Sequence, residues 1–510
     1  MAADPSLPRS AAGNRNPWLI AVVVSLATFM EVLDTTIANV SLRHIAGSLG
    51  ASQDESTWIL TSYLISNAIV LPISGWLSQL IGRKRFYMIC VAMFTVSSFL
   101  CAFAPNLGVM IVFRVLQGIG GGGLAPTEQS IFADSFTPQK RAAAFALYGV
   151  TVVVAPAVGP VLGGWLTEDY SWHWIFLINL PVGALALCLI WFLVDEPQAV
   201  IDDTRKFRAN FIPDWLGFVL VALTFGCLQV VLDRFQQDDG FASTKITLFA
   251  ATCVFSAVAL VWWELRHPQP VFDVRLFKYR SFATACLLMF LLGFTLYSTT
   301  QLLPQLAQTL LGYNALQAGK SLAAGGFVAV LIMPIAGVVG KKIPPKWLLI
   351  AAFAVTGLAF IHTAHLNLQV GLIDLSMARV YQSVALPFLF VTLTTAGYVG
   401  IPADKNSEAS AVINLMRNLG GSVGVSIATT ALAWRTQFHH VRLSDHVSAF
   451  DVGPGSFAGV SLAAAQARVQ VQAQALSYFD VFWLFGVVAL VVAPFALILK
   501  NPPKGEAGAH

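Results

Sequence analysis

An all-α membrane protein with fourteen spans is the fold this sequence predicts, and three observations carry the prediction. Hydrophobic residues make up 56% of the 510 and charged residues only 11%, about half the charged share of a soluble protein. Apolar runs recur from one end of the chain to the other, each near the ~20 residues an α-helix needs to cross a hydrocarbon core of about 30 Å. Gly, Pro and charge clusters punctuate the runs and set their limits. Too little polar surface remains to cover the apolar content in water, so lipid is the solvent.

The first run, starting at Trp18, carries Glu31 and Asp34 and has no small-residue cleavage site behind it, so it reads as a retained span, 17–39, and not as a signal peptide. Five more follow at 54–78, 86–104, 107–130, 142–166 and 172–194, and then a pair at 213–232 and 244–263. The last six are placed at 281–309, 317–340, 347–364, 371–397, 408–433 and 478–499. An even number puts both termini on one side. With the N-terminus inside, Arg83, Lys84, Arg85, Lys140, Arg141, Arg205, Lys206, Arg208, Arg275, Lys278, Arg280, Lys341, Lys342 and Lys346 all fall in cytoplasmic segments. The expected organisation is a cytoplasmic N-terminus, 1–16, and a six-helix bundle, 17–194. A linker with two extra helices, 195–280, leads to a second six-helix bundle, 281–499, and a cytoplasmic tail, 500–510. The segment 434–477 is the longest outside loop, and its stretch Val469 to Leu476 reads as a short surface helix.

An internal duplication supports that division. Pro72-Ile73-Ser74-Gly75 ends the second span and Pro334-Ile335-Ala336-Gly337 the tenth, 262 residues later. Arg114-Val115-Leu116-Gln117 in the fourth is echoed by Arg379-Val380-Tyr381-Gln382 in the twelfth, 265 residues later. The chain is thus six spans, a two-span insert and six spans again; two inserted spans restore the side of the membrane, as a parallel duplication requires.

Ionisable groups inside spans cost at least a few kcal/mol if they face lipid, so they are expected to face the bundle interior with a partner or a function. Glu31, Asp34, Arg114, Arg379 and Arg417 form that set. Asp34 and Arg114 both fall roughly 10 Å below the outer surface at 1.5 Å per residue, which allows an ion pair between their helices. Burial disfavours a carboxyl's charge and a neighbouring guanidinium favours it, so a small change in separation decides whether a proton is held. Glu31 lies three residues before Asp34 on nearly the same helix face and is a second candidate carrier. The plainer alternative is a salt bridge that only locks the bundle. Arg379 and Arg417 are weaker candidates, otherwise satisfied by carbonyls or snorkelling, and Glu128 is expected to snorkel to the inner interface.

Four motifs resemble those of the major facilitator superfamily, and within it the fourteen-span drug/proton antiporters. Leu33-Asp34-Thr35-Thr36-Ile37-Ala38-Asn39-Val40 is similar to the span-one signature, and Gly75-Trp76-Leu77 with Gly82-Arg83-Lys84-Arg85 to the loop between spans two and three. Arg114 with Gln117 and Gly118 resembles the span-four motif. The stretch from Ala155 to Gly164, with Pro156, Gly159, Pro160, Gly163 and Gly164, resembles the span-five antiporter motif. Two positions depart from the pattern: Gln79 stands where an acidic residue is usual, and Arg43 where proline often ends the span-one signature. The resemblance implies two six-helix bundles with two inserted central helices, and efflux of lipophilic or toxic compounds across the cytoplasmic (inner) membrane by alternating access, driven by a proton gradient. Asp34, Glu31 and Arg114 would couple protons, the span-five residues would form a hinge, and Gly75, Gly82, Arg83, Lys84 and Arg85 a cytoplasmic gating loop. It further implies lipophilic small molecules, protons and membrane lipids as partners, with a periplasmic membrane-fusion adaptor and outer-membrane channel beyond. An exporter of one endogenous metabolite or siderophore, and an uncoupled facilitator, fit the same residues.

Other chemistries are disfavoured. Gly118 to Gly123 satisfies GxGxxG but lies mid-span with no preceding strand, and Gly420 to Gly424 satisfies GxSxG in an apolar span rather than a strand-turn-helix elbow. Gly319-Lys320-Ser321 lacks the earlier glycine of a phosphate loop, Asn314 standing there. The six cysteines are scattered with no CxxC pair, so neither metal nor disulfide framework is expected. No cofactor, enzymatic activity or nucleic-acid partner is expected.

Overall fold

The computed structural model describes residues 16–196, 198–445 and 462–499; these form α-helices and short 3-10 turns, with no strand among them. The expected terminal segments therefore lie, Asn16 apart, outside the described residues. In the first half α1 is Pro17–Leu49, α2 Trp58–Ile81, α3 Arg83–Ala102, α4 Leu107–Ser135, α5 Pro138–Asp169 and α6 His173–Leu193. Local chemistry sets their ends. Asn16 caps α1 by accepting from the Trp18 amide, Pro17 occupies the first turn, and Gly50 closes the helix at φ 63. Asn106 caps α4 in the same way.

The inserted pair is α7, Trp215–Arg234, and α8, Thr244–Glu264, reached through an amphipathic helix, Gln198–Ala209. The second half is α9, Arg280–Thr309; α10, Ala315–Lys342; α11, Pro345–Ala364; α12, Leu372–Gly397; α13, Asn406–Ser444; and α14, Leu462–Val492. Thirteen helical segments among the described residues are long and apolar enough to cross a membrane. The remaining expected span lies in α13, which is long enough but is diluted by Asn414, Arg417 and Asn418; the first two are buried against other helices and do not face lipid.

Helix α1 packs on α5 and α6, and α4 on α2 and α3; α9 packs on α13, α10 on α12, and α14 on α11 and α13. The halves meet along α5 with α10 and α2 with α13. Helix α7 leans on α2, whereas α8 is peripheral: only 17% of its apolar window is buried, and Leu248, Phe255 and Val258 point outward. The Gly118–Gly123 run is a packing surface. A Cβ on Gly118 would lie 2.0 Å from Ser66 Oγ on α2, and one on Gly120 2.7 Å from the Phe94 amide on α3.

The expected outside loop 434–477 needs correction, because it is helical at both ends. Helix α13 runs on to Ser444 and α14 begins at Leu462, so Val469 to Leu476 is part of a long helix and not a separate short one. At 1.5 Å per residue the 39 residues of α13 span roughly 58 Å, almost twice a hydrocarbon core. The extension is held by Arg435 Nε and His439 Nε2 of α13, both 2.6 Å from Asp480 Oδ2 of α14.

Candidate functional site

Asp34 sits on the inward face of α1, 2% exposed, with every side-chain oxygen engaged. Arg114 Nη1 donates to Oδ2 at 2.6 Å, while Gln117 Nε2 and Asn179 Nδ2 donate to Oδ1 at 3.0 and 2.8 Å. The guanidinium is itself fixed: Nε donates to the Ile59 carbonyl at 3.0 Å, Nη1 to Gln117 Oε1 at 2.7 Å, and the Tyr63 ring lies 4.5 Å from it. Arg114 and Gln117 are one turn apart on α4, so one helix face presents both a cation and an amide to α1. The ion pair inferred from depth alone is thus formed, and it is fully buried.

Glu31 is half-buried one turn earlier. Its Oε1 accepts from Tyr63 Oη at 3.0 Å and Asn67 Nδ2 at 3.5 Å, and no cation forms an ion pair with it among the described residues. Tyr63 therefore joins the two carboxylates, its ring under Arg114 and its hydroxyl on Glu31. Neither acid points into lipid.

Glu128 does not snorkel. It is wholly buried, Oε1 accepts from Ser25 Oγ at 2.5 Å, and Oε2 has no hydrogen-bond partner among the described residues. The sequence held a signal for this: fourteen residues is close to four helical turns, which returns Glu128 to the α4 face that carries Arg114. Arg417 reaches the same region from the second half, where Nη1 donates to Tyr148 Oη of α5 at 2.6 Å and that hydroxyl donates to Asn414 Oδ1 at 2.9 Å. It is held by hydroxyl and amide groups, neither by carbonyls nor by snorkelling. Tyr63, Asn179 and Tyr148 went unnoticed in the sequence because uncharged polar residues are common in spans and carry no signal of their own.

The glycines of the span-five motif divide. A Cβ on Gly159 would lie 2.0 Å from Thr36 Oγ1, and one on Gly163 3.1 Å from the Ile37 carbonyl, so both let α1 and α5 touch backbone to backbone. A Cβ on Gly164 would have no described atom within 4 Å, so Gly164 takes no part in that contact. Pro156 and Pro160 lie within an uninterrupted α5, and Pro160 and Val161 pack on Gly319 of α10.

At the end of the bundle that carries the Gly82–Arg85 loop, the halves are latched. A Cβ on Gly75 would lie 2.8 Å from Glu408 Cα, so α2 and α13 touch there. Gln79 Nε2 donates to Glu408 Oε1 at 3.0 Å and to the Asp404 carbonyl at 3.3 Å. A carboxylate at position 79 would instead oppose Glu408, which gives the departure from the superfamily pattern a physical reason. Gly82 takes φ 94, a region that favours glycine, and aims the Arg83 amide at Glu196 Oε1, 2.6 Å away. The Arg83 side chain pairs with Asp134, which also accepts from Asn406 Nδ2 at 3.1 Å. Lys84 Nζ donates to the Trp191 carbonyl at 2.9 Å, and Arg85 is exposed. Lys405, in a 3-10 turn outside the spans, pairs with Asp273. Burial disfavours its charge, but that hydrogen bond and the carboxylates of Glu408 and Asp404 outweigh burial and hold the ammonium above the ordinary lysine range.

Arg379 lies in α12, 5% exposed, donating to Thr299 Oγ1 at 3.1 Å and Thr300 Oγ1 at 3.2 Å.

Two helical bundles joined face to face around buried ionisable groups, with an inserted helix pair at the side, define a multi-pass membrane transporter. Residues 24–425 match the Major Facilitator Superfamily, and the chain belongs to it. It is 35% identical to the multidrug export protein EmrB of Haemophilus influenzae, over 96% of each chain. It is 33% identical to the fatty acid resistance protein FarB of Neisseria gonorrhoeae, over 96% of this chain and 97% of that one. Among solved structures the human organic anion transporter MFSD10 (TETRAN) shares the fold at a TM-score of 0.58, with 14% identity over 94% of this chain and 99% of that one.

Proposed function

We propose that this transporter exports lipophilic compounds across the cytoplasmic membrane in exchange for protons. The reading is carried by the Asp34–Arg114 ion pair, buried and shared between α1 and α4, with Glu31 linked to it through Tyr63. A carboxylate whose charge depends on one buried partner changes protonation when the helices move, and coupling requires that proton and cargo favour different states of that movement. In the present arrangement Glu31 is the more accessible acid and Asp34 is sealed, so a proton entering from outside reaches Glu31 first and Asp34 only after α1 and α4 shift. The excess of Lys and Arg in the connecting segments supports both termini lying inside and the latched end being cytoplasmic. The cycle draws on the proton gradient and needs no cofactor. Names of relatives that speak of multidrug export and fatty acid resistance support amphiphilic cargo. The long extensions of α13 and α14 form the surface that would meet a periplasmic adaptor.

Purified protein in sealed vesicles holding a pH-sensitive dye tests the coupling. Ethidium added to the parent should move protons against the direction of dye movement, and Asp34→Asn should abolish this while still binding the dye. Dye movement without proton movement, or an Asp34→Asn variant that transports like the parent, would sink the proposal.

A further inference from the structure

The duplicated halves treat their matching arginines differently. Arg379 follows Arg114 by 265 residues, and the same step carries Gln117 to Gln382 and Asp34 to Thr299. Structure and register agree: Arg379 Nη1 donates to Thr299 Oγ1 just as Arg114 Nη1 donates to Asp34. In the second half the carboxylate has therefore become a hydroxyl. The ring has gone too, since Tyr63 beneath Arg114 is matched, at the 262-residue step of Pro72 to Pro334, by Gly325. Gly325 lets the α10 backbone lie directly on Arg379: a Cβ there would be 2.6 Å from Arg379 Cγ and 2.5 Å from Ser383 Oγ.

What remains is a guanidinium 5% exposed that forms no ion pair with any described residue. Among the described residues its Nε has no hydrogen-bond partner, and neither has the Oγ of Ser383, one turn further along the same face of α12. Both are donors. A guanidinium stays charged in a protein, and a buried charge is costly until an anion neutralises it. The open edge is that of Nη2, where Thr300 is half-buried while Thr299 is fully buried. The fork geometry of a guanidinium matches two oxygens of one carboxylate.

We propose that Arg379, with Thr300 and Ser383, binds the carboxylate head of an amphiphilic cargo, which supplies the negative charge that Asp34 supplies in the first half. Only the direction of transport rests on the exporter reading; the site itself is an equilibrium binding site. Cargo acid entering here would neutralise the second bundle's arginine as protonation releases the first.

Full-length protein in neutral detergent, titrated with decanoate and followed by its thermal unfolding, tests this without any gradient, so it succeeds or fails independently of proton coupling. Decanoate should protect the parent, and decanol, with the same chain length and no charge, should protect at least tenfold less. Arg379→Gln should lose tenfold or more in decanoate affinity. Thr299→Asp, which restores an internal partner and keeps the arginine, should lose the same affinity while unfolding at no lower temperature than the parent; this guards against a variant that merely misfolds. Unchanged decanoate affinity in a folded Thr299→Asp variant overturns the proposal. So does equal protection by chloride at the same concentration, which would make the ligand an inorganic counter-ion.

Discussion

Breaking the Asp34–Arg114 pair from one side should cost far more than removing it whole. Arg114 is fully buried, and its charge cannot be shed; Asp34→Ala leaves it facing the Gln117 and Asn179 amides, which are themselves stripped of an acceptor. A stranded buried charge costs about 3–5 kcal/mol. Arg114→Met leaves Asp34 with the two amide donors, which soften the loss to about 2–4 kcal/mol. The double variant removes both charges and leaves a small cavity and two unpaired amides, roughly 2–3 kcal/mol. Together the single losses should thus exceed the double loss by about 2 kcal/mol or more, toward the upper end of coupling energies for residues in contact. Equilibrium unfolding by SDS in mixed micelles, read by tryptophan fluorescence, measures all four corners of the cycle. Losses that add to within about 0.5 kcal/mol would mean the two groups do not depend on each other, and the reasoning from a buried, shared pair would be refuted.

Other expectations follow from the same geometry. Gly159→Val, whose Cβ would sit 2.0 Å from Thr36 Oγ1, should destabilise by about 1–3 kcal/mol through overpacking of α1 against α5, whereas Gly164→Ala, in open space, should be near neutral in the same titration. Glu128→Gln keeps a group to accept the Ser25 hydroxyl and removes a buried charge, so its stability should change by less than about 1 kcal/mol, while Ser25→Ala should cost about 1–3 kcal/mol. Gly75→Leu should prevent the latched contact with Glu408; cysteines placed at Gln79 and Glu408 should crosslink readily without it and poorly with it. Because the Lys405 ammonium is held above its ordinary range, its stabilising pairing with Asp273 is complete below the unfolded value, near 10.4, and is lost only as pH rises through the higher folded value. Lys405→Met should therefore lower stability by the same amount at pH 6 and pH 9.

Hydropathy alone determined the membrane and the helices, because in lipid every backbone group must be satisfied within its own segment and a span is then a local property of about twenty residues; the duplication was legible in two pairs of echoed motifs. The Asp34–Arg114 pair was legible for a related reason: a charge inside a span is rare enough to announce itself, and depth follows from residue count. Helix facing was harder to read. Glu128 and a lipid-snorkelling glutamate look alike until α1 is seen to bring Ser25 against it, and Gly164 looks like Gly159 until Thr36 and Ile37 are seen to lie on one side of α5 only. The length of α13 was also hidden, since the polar residues of its extension resemble a loop in sequence, and only the contact of Arg435 and His439 with Asp480 of α14 shows a helix held there. Above all, only the tertiary structure shows that Arg379 meets a threonine where Arg114 meets a carboxylate, because which side chains lie opposite one another is decided by the rotation of each helix about its own axis, and that rotation is set by packing between segments far apart in the chain.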